Sequence, residues 1–349
     1  MNTGYKYLTE EQRLAAVQRL TALWAFTESG LGGIMHALKI PFTGLIVGGM
    51  AVIIISLIAE ISKHNLKQVL KSALIVLIVK AMVSPYTPFP AYIAVFFQAM
   101  LGFALFRLLG VHFFSILLLS CLAMIESVFQ KLLILTLIYG KGLWKAMDEL
   151  VAYVIKQFGM TSGNGSRWIV GAYLSVYLIG GIIIAWIAYK MIKSFYAEKD
   201  MYKLTSAEII NEEIYKGSAA KRKSLFRKLW MMILLLAVIS VVLFIFSADA
   251  EKGWLAVAKT VSWTLLAIFA WYMLIGPLLT RLIQKLLQKQ ESRYSDEVLS
   301  TLSFLPVMRQ LTSLAWQKSK SYSGLVRWQF FFSAMVHWSL TCSEPSKKE

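Results

Sequence analysis

Long, nearly unbroken apolar runs dominate this sequence: Ile40–Ala59, Ala91–Phe106, Phe113–Ile125, Trp168–Tyr189 and Leu229–Phe246. Several reach the roughly 20 residues that carry a helix across a bilayer. Hydrophobic residues make up 58% of the chain and charged residues only 16%, against about 25% charged in a soluble domain. One water-soluble core cannot hide so much apolar surface. The expected fold is therefore all-α, a polytopic integral membrane helical bundle.

Hydropathy places about eight spans, near 20–38, 40–61, 68–84, 91–109, 112–138, 168–190, 229–247 and 254–280. Loop charge tests them independently. Lys63, Lys67 and Lys71 follow span two, whereas the loop SPYTPFPA after span three has no charge. Arg107 closes span four, and the stretch 191–228 holds nine Lys/Arg, including Lys221, Arg222, Lys223, Arg227 and Lys228. Asp249 and Glu251 follow span seven, and Arg281, Lys285, Lys289 and Arg293 follow span eight. Basic and poor loops alternate, which predicts both termini in the cytoplasm and requires span one to be real. The segment 139–167 belongs outside, yet it holds four Lys/Arg against two acids. Its stretch GKGLWKAMDELVAYVIKQFG reads as an amphipathic helix in the outer interface.

Four regions follow: a six-helix membrane bundle over 1–196, a basic cytoplasmic loop over 197–228, two further spans over 229–283, and a basic tail over 284–349. The tail predicts one or two cationic amphipathic cytoplasmic helices that lie on the membrane face or dock on a partner. The net charge of +17 sits mostly in loops, so it points to anionic lipid rather than nucleic acid. Cys121 and Cys342 form no disulfide framework, and the acidic N-terminal stretch MNTGYKYLTEEQR is no signal peptide.

Ionisable groups inside spans are costly and are functional candidates by default. Glu28 lies near the middle of span one, and His36 is about two helical turns further on. Lys80 lies near the outer end of span three, Gln98 interrupts span four, and Glu126 and Gln130 share a face of span five. Each has a plainer reading. Glu28 and Lys80 form a buried ion pair, or Lys80 snorkels to the headgroups. His36 is an interfacial hydrogen-bonder or a ligand-binding group. Gln98 is interhelical glue or part of a site. Glu126, among LLLSCLAMI, needs a partner or a cavity.

The chain has no GxxxxGK[ST] phosphate loop, no HExxH, no GxSxG and no Cys/His cluster. No metal site, no cofactor and no enzymatic activity are expected.

The stretch LGGIMHALKIPFTGLIVGGMAVIII and the later VKAMVSPYTPFPAYIAVFFQAMLGFALFRLLG resemble the substrate-capture (S) components of energy-coupling-factor transporters. The likeness covers about residues 15–196 and rests on Ser84, Pro85, Pro88 and Pro90, then Gln98, then Arg107 and Gly110. It implies a ligand site near the outer face, with Ser84, Tyr86, Gln98, Glu126 and Gln130 as lining. It also implies that small residues spaced by four, here Ala25, Ser29 and Gly33, pack on a coupling subunit; Glu28 and Trp24 beside them are atypical. The C-terminal third is similar in character to the family's coupling (T) subunit, with Arg309, Trp316 and Lys318 as docking residues, although the Ala-Arg-Gly signature is missing.

The expected function is a transport component of a bacterial cytoplasmic membrane. It would bind a small, vitamin-like nutrient and use ATP only through separate ABC-type ATPase and coupling subunits. The alternatives are a membrane scaffold or assembly protein whose basic tail recruits a partner, and a lipid-directed membrane enzyme, which the missing motifs disfavour.

Overall fold

The computed structural model describes residues 9–37, 42–84, 87, 89–157, 165–194 and 275–341. The loop 197–228, span seven and most of span eight, Tyr86 and Cys342 lie outside the described residues. Among the described residues every regular element is helical. The first rod is α1 (Glu10–Phe26), a π-helical turn (Thr27–Leu31) and α2 (Gly32–Ala37). Then come α3 (Thr43–Ile61), α4 (Lys67–Val83), α5 (Phe89–Leu109), α6 (Phe113–Gln157) and α7 (Gly165–Ser194). The C-terminal helices are α8 (Gly276–Glu291), α9 (Ser295–Ser319) and α10 (Gly324–Thr341). Among the described residues, four segments are long and apolar enough to cross a membrane: Thr43–Ile61, Phe89–Leu109, Phe113–Leu137 and Gly165–Lys193.

The first rod starts at Glu10, ahead of the span expected from Leu20. A capping box sets that start: the Thr9 hydroxyl accepts from Gln12 N at 3.3 Å, and Gln12 Oε1 accepts from Thr9 N at 3.0 Å. Glu10 and Glu11 favour the positive end of the helix dipole. These are backbone signals, to which hydropathy is blind.

The described residues fall into two compact units. One draws on Met1–Phe129, Leu174–Ile209 and Leu279–Glu349; the other draws on Gln130–Tyr173 and Ile210–Leu278. This division differs from the sequential regions expected from the sequence, because the tail belongs with the first helices.

In the first unit, short turns make successive helices antiparallel. Gly110, at φ 76°, closes the end of α5 in a conformation that a residue with a Cβ rarely adopts. Lys63, Lys67, Lys71, Arg107, Lys190 and Lys193 therefore collect at one end, the basic end of the bundle. Small residues let the helices approach. A Cβ on Gly102 of α5 would sit 2.6 Å from Ile55 Cγ2 of α3, and one on Gly181 of α7 would sit 3.2 Å from Met124 Cγ of α6.

In the second unit, α6 bends at Gly140 (φ 66°, ψ −160°) and continues as helix to Gln157, over the stretch expected to be helical. Trp144 Nε1 donates to Thr136 Oγ1 at 3.1 Å. Asp148 Oδ1 accepts from Ser166 N at 2.6 Å, and this backbone hydrogen bond holds the carboxyl below its usual range.

The C-terminal helices show two departures from expectation. The boundary drawn at 283/284 falls inside α8, because Arg281, Lys285 and Lys289 recur every four residues and leave an apolar face intact. The tail does form two helices, but they dock on this chain itself. The α9–α10 hairpin packs against α1, and α9 also meets α4. Gln18 Nε2 donates to Ser300 Oγ, the Arg19 guanidinium donates to the Leu340 carbonyl, and Lys71 Nζ meets Glu297 Oε1 at 2.6 Å. The hydrogen bond from Lys71 holds the Glu297 carboxyl below its usual range.

Replacing Gly102 with Val should destabilise the detergent-solubilised protein by about 1–3 kcal/mol through overpacking. Gly171→Ala, where a Cβ meets nothing within 4 Å, should be neutral in the same thermal scan. The Glu297 carboxyl has a lower pKa folded than unfolded, so it adds stability above the ordinary value of about 4.3 and loses it as pH falls through the folded value. Hydrogen exchange in α9 should therefore rise below about pH 4, and Glu297→Gln should remove that acid-side change.

Candidate functional site

The π-helical turn places Glu28 inside the first unit. Such turns insert one extra residue into a helix and recur at functional sites. Hydroxyls tie it to the preceding helix: Thr27 Oγ1 donates to Leu23 O at 2.7 Å, and Ser29 Oγ donates to Ala25 O. Glu28 itself faces α4. Its Oε2 accepts from Lys80 Nζ at 2.7 Å, with side chains only 7% and 4% exposed. Of the two readings open for Lys80, the structure takes the ion pair.

Lys80 also donates to the Ala91 carbonyl of α5 at 3.3 Å and lies 6.0 Å from the centre of the Tyr92 ring. The pair thus ties three elements together and sits away from the basic end, three residues from the end of α4.

Glu126 of α6 lies close enough to Glu28 for the two carboxylates to act on one another. Gln98 of α5 is 2% exposed, and its Oε1 has no hydrogen-bond partner among the described residues. Its Nε2 lies over Gly48 of α3, 3.2 Å from where a Cβ would stand; Met124 Cε and Ser127 Oγ of α6 come within 3.6 and 3.9 Å of that point. Trp24 is fully buried one turn before Glu28, and its Nε1 likewise lacks a partner among the described residues. Two carboxylates and an ammonium within electrostatic reach of one another, with a buried amide on α5 and a buried indole N–H on α1, are groups that can hold a small polar molecule or exchange a proton.

The other residues singled out in the sequence fall elsewhere. Ser84 caps α4 and accepts from Thr87 Oγ1 at 2.9 Å. His36 lies on α2, and its side chain is outside the described residues, as is Tyr86. Gln130 belongs to the second unit. Ala25 and Ser29 are buried, so the line of small residues offers no free face there; a Cβ on Gly33 would meet nothing within 4 Å. Arg309 and Trp316 are exposed on α9, and Lys318 stacks on the Trp338 ring at 5.6 Å. The sequence reading named Trp24 only as atypical beside the small-residue face, and it passed over Tyr92, Ser127 and the Ala91 carbonyl. The spacing of Trp24 to Glu28 was a usable signal; a backbone carbonyl on another helix leaves none.

The arrangement defines a class: a helical protein whose described residues include four helices apolar and long enough to cross a membrane and a charged pair buried among them. No protein-family model, no curated protein and no solved structure matches the chain.

Removing one partner of a buried pair leaves the other charge stranded. Lys80→Met should therefore cost about 3–5 kcal/mol in detergent unfolding, and adding Glu28→Gln should recover most of it. A silent single variant would mean that water reaches the pair.

Proposed function

We propose that this chain is a transport component of a bacterial cytoplasmic membrane, one that binds a small, vitamin-like nutrient and draws its energy from separate ATPase subunits. The observation that carries this reading is the buried Glu28–Lys80 pair, with the half-buried Glu126 within its electrostatic reach and a buried Gln98 on α5. A buried ion pair adds little stability over a well-packed apolar pair, so polar groups at this depth point to function.

The topology follows from the same reading. With the basic end at the cytoplasm, both termini are cytoplasmic and the cluster lies toward the outer face, where an incoming nutrient arrives. The likeness of residues 15–196 to substrate-capture components supports the same assignment, with Gln98 and Glu126 from its implied lining beside Glu28 and Lys80, which the sequence already singled out as intramembrane charges.

Mass spectrometry of the protein purified in mild detergent should find a vitamin-like compound or ATPase subunits. Glu126→Gln should leave the protein folded and raise the Kd of that compound at least tenfold, about 1.4 kcal/mol. A preparation carrying a non-ATPase envelope protein and no small molecule would support the scaffold instead, and unchanged binding by Glu126→Gln would remove that residue from the site.

A further inference from the structure

The last turns of α7 carry aromatic rings under cations. Lys190 Nζ lies 4.7 Å from the Trp186 ring centre and Lys193 Nζ lies 4.6 Å from that of Tyr189. Ile179, Ile182 and Trp186 are all about half exposed. Their spacing puts them on one helix face that leads up to Lys190. An apolar stripe that ends in aromatic and basic residues is the pattern of a helix entering the headgroup layer.

The tip of the α9–α10 hairpin repeats that chemistry. The Arg327 guanidinium lies 4.5 Å from the Trp316 ring centre, and the Trp316 and Trp328 rings are 6.0 Å apart. Both tryptophans and Val326 are exposed to solvent, with Lys320 in the turn. From Val298 to Thr341 the sequence has four Lys/Arg and no acid. Among the described residues no carboxylate pairs with Lys193, Lys320 or Arg327.

One contact joins the two patches. Lys190 Nζ donates to Gln329 Oε1 at 3.3 Å. The far end of α10 is fixed at α1, where Arg19 donates to the Leu340 carbonyl. The eleven residues between cover about 16 Å, so α10 lies across the basic end of the bundle. The hairpin tip is therefore held beside the end of α7.

We infer that the end of α7 and the hairpin tip together form a binding site for an anionic phospholipid. Lys193 and Arg327 meet the phosphate, Lys320 adds positive field, and an acyl chain lies along Ile179 and Ile182. The continuation of the basic patch into the exposed apolar face of Ile179, Ile182 and Trp186 selects a lipid over an acidic protein, which would match the charges but not that face. A lipid bound there fastens the hairpin across the basic end. The inference rests on the membrane placement and not on the nutrient site.

The test uses the full chain, stripped of lipid in detergent and titrated with phosphatidylglycerol or phosphatidylcholine under native mass spectrometry. Phosphatidylglycerol should be retained preferentially. Lys193→Gln and Arg327→Gln should each cut that preference about fivefold, while Lys145→Gln, in the second unit, should not. Lys193 is exposed at a helix end, so its variant tests the site even if Arg327→Gln disturbs the hairpin. Equal retention of the two lipids would overturn the inference. So would unchanged selectivity in both variants, competition by soluble glycerol phosphate, or an acidic protein held at this patch in place of lipid. Loss of nutrient binding by Glu126→Gln with lipid selectivity intact would separate the two readings.

Discussion

The Glu28–Lys80 contact constrains the first unit more than any other interaction. Neither charge is tolerable alone at 7% and 4% exposure, so each fixes where the other stands. The pair sets α1 and α4 side by side, running the same way. Thr21 Oγ1 donates to Ser72 Oγ at 2.8 Å lower on the same seam. The π-helical turn serves this register, since the extra residue rotates Glu28 toward α4.

The seam continues to the basic end, where the hairpin straddles it. Ser300 and Leu340 meet α1 through Gln18 and Arg19, and Glu297 meets α4 through Lys71. The two helices that carry the buried pair are thus the ones to which the C-terminal helices are fastened. A change at the pair that shifts α1 against α4 would be felt by the hairpin. Long-range coupling requires such a contiguous physical path, with an element that can occupy two arrangements.

Much of this was legible from the sequence. The apolar runs marked α3, α5, the first part of α6 and α7 closely, because hydrocarbon length and helical rise leave little freedom over 19 to 29 residues. The cationic, amphipathic character of the tail marked helices there, although the charges at 281, 285 and 289 suggested a loop, and GKGLWKAMDELVAYVIKQFG marked the helix that continues beyond Gly140. Glu28, Lys80, Gln98 and Glu126 stood out for their cost in an apolar setting. Less was legible where neighbours decide. Ala25 and Ser29 have the spacing of an external packing face, yet the fold buries them.

The sequence by itself determined the class and the cast: helices of membrane-crossing length, a basic bias in particular loops, and a few polar residues that a bilayer would not tolerate without reason. These are one-dimensional properties, set by transfer free energy and helical periodicity. Only the tertiary structure decided who meets whom. It paired Glu28 with Lys80 across 52 positions, put Gln98 over Gly48, and folded α9 and α10 back onto α1. Such contacts depend on side-chain shape and interhelical distance among many helices, and no local pattern encodes them.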